Sequence, residues 1–325
     1  MKFEHYKLNL AQSLPLEVKV MKAESKIIDA IMEYGIDSLY ISNSGGKDSD
    51  VLIDICDNVC EKLELRKIPK VYCDTGLEYK SVREKGLKSD VVIKPKMTFI
   101  EILKKYGYPV ISKEQSQFIY EYRHTNSDDL RNTRLNGNKS GRGKISKINF
   151  PLVDSDFEIS HMCCYYMKKK PFIKYEKETG RIGILGLLAD ESQLRKQGYI
   201  KNGCNAFAKK RPQSNPLSPF TYQDILQYIK MRDIKIAEIY GEIITVSFFP
   251  SVLDLTGVDR TGCVFCMYGS HKNNFAKFEI LKKQEPKKYD YCMKGGKYLN
   301  GKWIPNNGLG MEKVINDIKK IRGNK

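Results

Sequence analysis

The sequence predicts a doubly wound α/β fold with a mostly parallel sheet and a small C-terminal lobe that carries cysteines. Three observations lead there. Short apolar stretches alternate with segments whose apolar residues recur at helical spacing, a Gly-rich loop stands between one such strand and the helix after it, and several strands end in polar turns. Ligands of parallel sheets collect beyond the carboxyl ends of the strands, so these loops and turns are where function is sought.

Taken in order, Pro15 to Tyr34 places Val18, Met21, Ile27, Ile28 and Ile31 at amphipathic helical spacing. "DSLYIS", 37 to 42, reads as a short strand; the loop at 43 to 48 follows, and Val51, Leu52, Ile55, Cys56, Val59 and Cys60 form the apolar face of the next helix. "KVYCDTG", 70 to 76, is a second strand ending in a polar turn, "SDVVIKP", 89 to 95, a third, and Thr98 to Tyr106 is helical. "RIGILGLLADES", 181 to 192, supplies another buried strand with a polar exit, and "FTYQDILQYIKMR", 220 to 232, another amphipathic helix. Beyond about residue 245 the alternation fades into Gly-, Lys- and Tyr-rich sequence. The division that follows is an N-terminal helical segment at 1–36, a main domain at 37–245, and a C-terminal lobe at 246–325 with a Cys-x-x-Cys.

One stretch departs from this rhythm. Between Arg131 and Lys147 stand Arg131, Arg134, Lys139, Arg142, Lys144 and Lys147, with three glycines and no acid. It reads as a mobile basic loop at 131–147, either a clamp on a nucleic-acid backbone or a solvated insertion.

With 325 residues the chain is long enough for one large or two modest domains with a real core. The uncharged run from Ile243 to Leu253 is far too short to span a bilayer, and the first twenty residues lack the apolar centre of a secretory signal. The expectation is a cytoplasmic protein with no membrane association. A formal net charge of +17 suits a polyanionic partner such as DNA or RNA, and equally a protein from a Lys-rich proteome. Nine cysteines in such a chain point to metal binding or redox chemistry more than to a disulfide framework.

The Gly-rich loop is Ser44-Gly45-Gly46-Lys47-Asp48-Ser49. It lacks the Gly, four residues, Gly-Lys-Ser/Thr spacing of the common nucleoside-triphosphate loop, since Asp48 follows Lys47. What it offers is consecutive unhindered N–H groups, a helix N-terminus, a cation and two hydroxyls around an anion. This SGGxDS signature resembles the PP-loop of the adenine-nucleotide α-hydrolase superfamily, whose members bind ATP and split it between the α and β phosphates, or bind a related adenylyl compound. The resemblance implies that Gly45 and Gly46 admit the phosphate oxygens, that Lys47 neutralises charge, and that Asp48 holds Mg²⁺.

Two further segments resemble the phosphoadenylyl-sulfate (PAPS) reductase branch of that superfamily. "CDTGLEY", 73 to 79, is similar to its DTG turn, with Asp74, Thr75 and Gly76 in nucleotide-binding positions and Glu78 earlier than the family's acid. "GLLADESQLR", 186 to 195, is similar to its strand-end segment, with Arg195 in place of the arginine that meets the anionic nucleotide and Leu188 where the family has its first arginine. The implied catalytic residues are Lys47, Asp48 and Arg195.

Cys56, Cys60 and Cys73 fall on apolar faces and read as core. Adjacent Cys163 and Cys164 and the later Cys263-x-x-Cys266 supply four thiolates, enough for a [4Fe–4S] cluster, with zinc as the alternative and Cys204 as a substitute ligand or sulfur carrier. This arrangement resembles the cluster of assimilatory adenylyl-sulfate reductases. "MKKKP", 167 to 171, echoes the basic segment there; Lys168, Lys169 and Lys170 either raise the potential of a nearby cluster or form a solvated face.

The reductases' C-terminal Glu-Cys-Gly-x-His segment has no counterpart; the late candidate nucleophile is Cys292 in "YDYCMKGG". An intact loop with a cluster and a basic surface resembles the ATP-pyrophosphatase component of DNA phosphorothioation systems, and more distantly the iron–sulfur tRNA thiolases. That resemblance implies ATP cleavage to adenylate and pyrophosphate with sulfur transfer. Nucleic acid (DNA or tRNA) and a sulfur donor such as a cysteine desulfurase are then candidate partners. The alternatives are a PAPS or adenylyl-sulfate reductase, and a non-catalytic nucleic-acid-binding or redox-sensing protein.

Overall fold

The computed structural model describes residues 2–248 and 251–323. Residues 1, 249, 250, 324 and 325, which belong to the expected N-terminal segment and C-terminal lobe, lie outside the described residues. In chain order the helices and strands are α1 (Lys2–Ser13), α2 (Leu16–Tyr34), β1 (Leu39–Asn43), α3 (Lys47–Lys62), β2 (Lys70–Cys73), α4 (Lys80–Gly86), β3 (Val91–Ile93), α5 (Phe99–Tyr106), α6 (Lys113–His124) and α7 (Asp128–Asn136). Then come α8 (Lys170–Thr179), β4 (Ile182–Leu185), α9 (Gln193–Asn202), β5 (Gln213–Ser214), α10 (Tyr222–Arg232), β6 (Ile243–Phe248), β7 (Ser251–Leu255), α11 (Ala276–Gln284), α12 (Pro286–Met293), β8 (Lys297–Leu299), β9 (Lys302–Ile304) and α13 (Met311–Arg322).

The chain forms two compact units, each assembled from two stretches: Met1–Lys94 with Phe172–Thr261, and Pro95–Pro171 with Gly262–Lys325. The cysteine-bearing part is therefore not built from the C-terminal stretch alone; its first half is inserted between β3 and β4. Composition marks where the alternation of strands and helices fades, whereas the units follow which stretches pack together.

The first unit is the α/β unit. Its five strands lie in the order β3-β2-β1-β4-β5, all parallel, with Leu39 opposite Ile182 and Ile41 opposite Lys70. Successive side chains of β1 point to opposite faces. Leu39 and Ile41 enter a core with Ile27 of α2, Val51, Leu52 and Ile55 of α3, and Ile225 and Ile229 of α10; Tyr40 enters a second core with Val71 and Tyr175. Helices cover both faces, which is the doubly wound arrangement the sequence predicts. Strand order reverses direction between β1 and β4, so the crevice beyond their carboxyl ends is the expected ligand site.

The second unit holds α5 to α7, α11 to α13 and the β8–β9 hairpin. Arg123 of α6 ties it together by donating to the carbonyls of Val153 (2.8 Å), Phe157 (2.8 Å) and Leu152 (2.7 Å). The basic stretch is more ordered than the sequence suggests, because α7 takes its first six residues and Ser127 caps that helix by accepting from Leu130 N–H at 3.3 Å. The turn after it is closed by Asn138 Oδ1, which accepts from the N–H groups of Ser140 and Arg142 at 3.0 Å each. Counting basic residues and glycines hides a helix that begins on Asp128 and Asp129, acids suited to a helix N-terminus.

Candidate functional site

The loop after β1 is shaped by bonds within the first unit. Gly45 has φ +70°, and a Cβ there would stand 2.2 Å from the Val82 carbonyl oxygen, so glycine is required. Its N–H donates to Asn43 Oδ1 (2.8 Å), while Asn43 Nδ2 donates to Ser89 Oγ (2.9 Å). Ser44 N–H donates to Ser49 Oγ (3.1 Å), and the two hydroxyls stand 2.8 Å apart. Gly46 N–H donates to Ser44 Oγ (3.3 Å), and Lys47 N–H to the Tyr240 hydroxyl (3.2 Å). Three consecutive amides at the start of α3 are thus satisfied by neutral side-chain oxygens, weaker acceptors than a phosphate oxygen.

Lys47 is 4% exposed. Its ammonium donates to the Asp259 carbonyl (3.0 Å), stands 3.4 Å from Asp48 Oδ1, and lies over the rings of Tyr222 and Tyr240 at 5.2 and 5.5 Å. Asp48 Oδ1 is buried and accepts no hydrogen bond, which leaves a lone pair for a cation. Gly186, at the exit of β4, comes so close to this turn that a Cβ would stand 3.1 Å from the Asp48 carbonyl oxygen.

Beyond Gly186, Arg195 at the start of α9 pairs with Glu191. Burial and the charge of Arg260 lower its pKa, and Asp48 pulls it back up. Lys47, Asp48 and Arg195 therefore converge at the carboxyl ends of β1 and β4. Next to them a cavity of about 210 Å³ is lined by Leu187, Arg195, Tyr199, Asn215 and Ser218. The Asp74–Gly76 turn follows β2; Arg83 grips Asp74 at 2.7 and 2.8 Å and holds its carboxyl below the usual range, and Thr75 Oγ1 donates to Glu78 at 2.6 Å.

Sequence reasoning missed Tyr240, Asp259, Arg260 and Thr261. Tyr240 and Thr261 share a hydrogen bond of 2.6 Å, so the stretch 259–261 reaches the loop at Lys47 Nζ and at the hydroxyl on the Lys47 amide. The available signal was the polar, Gly-bounded turn "TGVDRTG" after an apolar strand, at 256 to 262.

In the second unit Cys163, Cys164, Cys263 and Cys266 lie close enough for their charges to act on one another. The Cys163 and Cys164 sulfurs are 3.9 Å apart, and a π-helical turn, Tyr165–Lys169, follows them. The hydrogen bond from Cys163 lowers the pKa of the Cys164 thiol, with Lys113, Lys168 and Lys169 adding positive charge, and Cys163 is raised correspondingly. Burial pushes Cys266 up to about 11. Lys277 Nζ donates to the carbonyls of Cys263 (3.1 Å) and Cys266 (2.9 Å), closing the Cys-x-x-Cys turn.

Among the described residues no three metal-binding side chains surround one ion-sized point. Four cysteines with Lys113, Lys168 and Lys169 near Cys164 and Lys277 on the Cys263 and Cys266 carbonyls are a donor set that either a [4Fe–4S] cluster or zinc accepts. Cys204 belongs to the first unit, where burial pushes its thiol up to about 11 against the pull of Lys26 and Lys22. Cys292 is fully buried, 3.4 Å from Met311 Sδ, and its thiol is pushed up by burial.

A Gly-rich anion loop at the switch point of a five-stranded parallel sheet defines an α/β nucleotide-binding protein. Residues 111–268 match the phosphoadenosine phosphosulfate reductase domain. Just under half of the chain thus matches that domain, the branch that the cysteine pairs and the strand-end segment of the sequence resemble. The matched stretch includes both cysteine pairs and Arg195, and begins after the loop at 44–49. A crystal structure of PAPS reductase from Candida auris, in a phosphate complex, is similar at 15% identity and a TM-score of 0.37, covering 67% of this chain and 82% of that one. No curated protein matches. Among the described residues no helix is long and apolar enough to cross a membrane.

Proposed function

We propose that this PAPS-reductase-family protein binds ATP with Mg²⁺, cleaves it to adenylate and pyrophosphate, and takes part in sulfur transfer to nucleic acid. The observation that supports the reading is the intact Ser44–Ser49 loop, whose three amides and helix N-terminus suit a polyphosphate and whose Asp48 Oδ1 accepts no hydrogen bond and faces only the Lys47 ammonium at 3.4 Å.

The chemistry follows from that arrangement. The amides of Gly45, Gly46 and Lys47 bind phosphate oxygens, Asp48 holds Mg²⁺, and Arg195 offsets charge that develops on the phosphates. An acceptor oxygen attacks the α-phosphorus and pyrophosphate leaves with the electron pair. A sulfide-level sulfur from the donor then attacks the activated atom, and AMP leaves with the acceptor oxygen and the electron pair, a better leaving group than the original oxygen. Cys163, Cys164, Cys263 and Cys266 would hold a [4Fe–4S] cluster, which when bound supplies a site for sulfur or electrons.

The sulfonucleotide reductase reading needs a reachable thiolate from Cys292 or Cys204; Cys292 is buried against Met311, whereas Cys204 is only partly buried, with its thiol pushed up to about 11. The deciding test supplies protein purified without oxygen with α-labelled ATP and Mg²⁺, with and without bulk nucleic acid. AMP or adenylate should form together with pyrophosphate, and Asp48→Ala should abolish both. ATP left intact, with sulfite released from a sulfonucleotide instead, would overturn the reading in favour of reduction.

A further inference from the structure

The stretch Asp259-Arg260-Thr261 lies against the phosphate loop at both of its ends. The Asp259 carbonyl accepts from Lys47 Nζ at 3.0 Å, and the Thr261 hydroxyl stands 2.6 Å from the Tyr240 hydroxyl, which accepts from Lys47 N–H at 3.2 Å. A Cβ on Gly46 would meet Tyr240 Oη at 3.0 Å and Thr261 Oγ1 at 3.3 Å, so this wall touches the loop without slack. Arg260 is held between these two anchors.

The cations around the loop differ in how their charge is met. Lys47 stands by Asp48 at 3.4 Å, Arg83 grips Asp74 at 2.7 Å, and Arg195 pairs with Glu191. Arg260 is exposed and forms no ion pair among the described residues, and its charge falls on Arg195 as a repulsion. Arg195 has Glu191 to meet its charge, whereas Arg260 has no acid, so an anion arriving at the loop is the partner its guanidinium lacks. Arginine suits that role because its planar fork bonds two phosphate oxygens at once. Lys47, the cation that the loop sequence suggests, is instead turned to the Asp259 carbonyl and two tyrosine rings.

We infer that Arg260 is a phosphate-binding residue of this site and takes the terminal, pyrophosphate end of the bound nucleotide. The inference rests on the nucleotide reading above and deepens it. The α-phosphate must stay open to its attacker, whereas the leaving pyrophosphate gathers negative charge as the bond breaks, so a cation outside the loop is best placed on the leaving side.

Equilibrium binding of inorganic pyrophosphate, ATP, AMP and adenosine 3′,5′-bisphosphate, each with Mg²⁺, is compared for the full chain and for Arg260→Ala and Arg260→Lys. Removing a hydrogen-bonded charge of this kind weakens binding about ten- to a hundredfold. That loss is expected for pyrophosphate and ATP in Arg260→Ala, with a smaller loss in Arg260→Lys and AMP unchanged within about twofold. If the full chain binds ATP and Arg260→Ala binds it equally well, the role of Arg260 is overturned while the ATP reading stands. A loss confined to adenosine 3′,5′-bisphosphate overturns it in favour of a sulfonucleotide phosphate. If the full chain binds neither pyrophosphate nor ATP, the ATP reading itself falls.

Discussion

Asp50, one turn into α3, shows how a single side chain in this site couples to pH. Burial and the nearby Asp48 raise its pKa to about 6, even though Lys85 donates to it at 2.8 Å. The folded chain holds this proton more tightly than the unfolded chain, where an aspartate titrates near 3.9. The contribution of Asp50 to stability therefore falls as pH rises from about 4 to about 6, by at most ~3 kcal/mol. Asp50→Asn removes that slope. Urea unfolding at several pH values should show the variant gaining on the parent across this interval, and a constant difference would refute the assignment. Ser44 to Ser49 were legible because six adjacent residues define the loop. Tyr240 and Thr261 were not, since nothing in the local sequence says that the Tyr240 hydroxyl will reach an amide some two hundred residues earlier, or that Thr261 will bond that hydroxyl.

At the scale of elements, the Cys-x-x-Cys turn depends on α11. Two backbone carbonyls of the turn share one ammonium, that of Lys277, whose pKa burial lowers while the surrounding thiols raise it. Removing it leaves the turn without its fastening and takes a positive charge from the thiolates. For the [4Fe–4S] cluster proposed above, Lys277→Met should hold less iron and acid-labile sulfide per chain after anaerobic reconstitution, and what remains should show a lower midpoint potential. Lys277→Arg should restore part of both, and unchanged iron and potential in Lys277→Met would remove Lys277 from the site. Strands β1 to β4 were read to within a few residues, because alternation and polar exits are local signals: the fourth predicted strand begins at 181 and β4 at Ile182, whereas the β6–β7 and β8–β9 hairpins were not read. Strand β5 is only Gln213–Ser214, too short for any periodicity to announce. Spacing gave the two cysteine pairs, but their meeting in one unit depends on an insertion between β3 and β4 that spacing does not reveal.

For the whole molecule the excess of basic residues is the dominant long-range term, and the turn after α7 gathers part of it. Lys139, Arg142, Lys144 and Lys147 are exposed there, whereas Arg134 is spent on Glu121 (2.6 Å) and the Gly143 carbonyl (2.7 Å). Four such cations on a duplex would steepen the fall of log K with log salt by about 0.9 for each phosphate met. Replacing all four with alanine should flatten that slope by up to ~3 to 4 and weaken DNA or RNA of any sequence to a similar degree. An unchanged slope in titrations from low to moderate salt would show that nucleic acid, if bound, lies elsewhere.

The pairing of β1 with β4 also bears on how the chain comes off the ribosome. Leu39 waits for Ile182, and β1 can gain its second neighbour only after β2, β3 and the whole inserted stretch have been made. At bacterial or eukaryotic elongation rates that delay is on the order of ten seconds, long compared with hydrophobic collapse. Until β4 is made, that side of β1 has no strand beside it, a bare edge of the kind prone to mispairing and chaperone capture during synthesis.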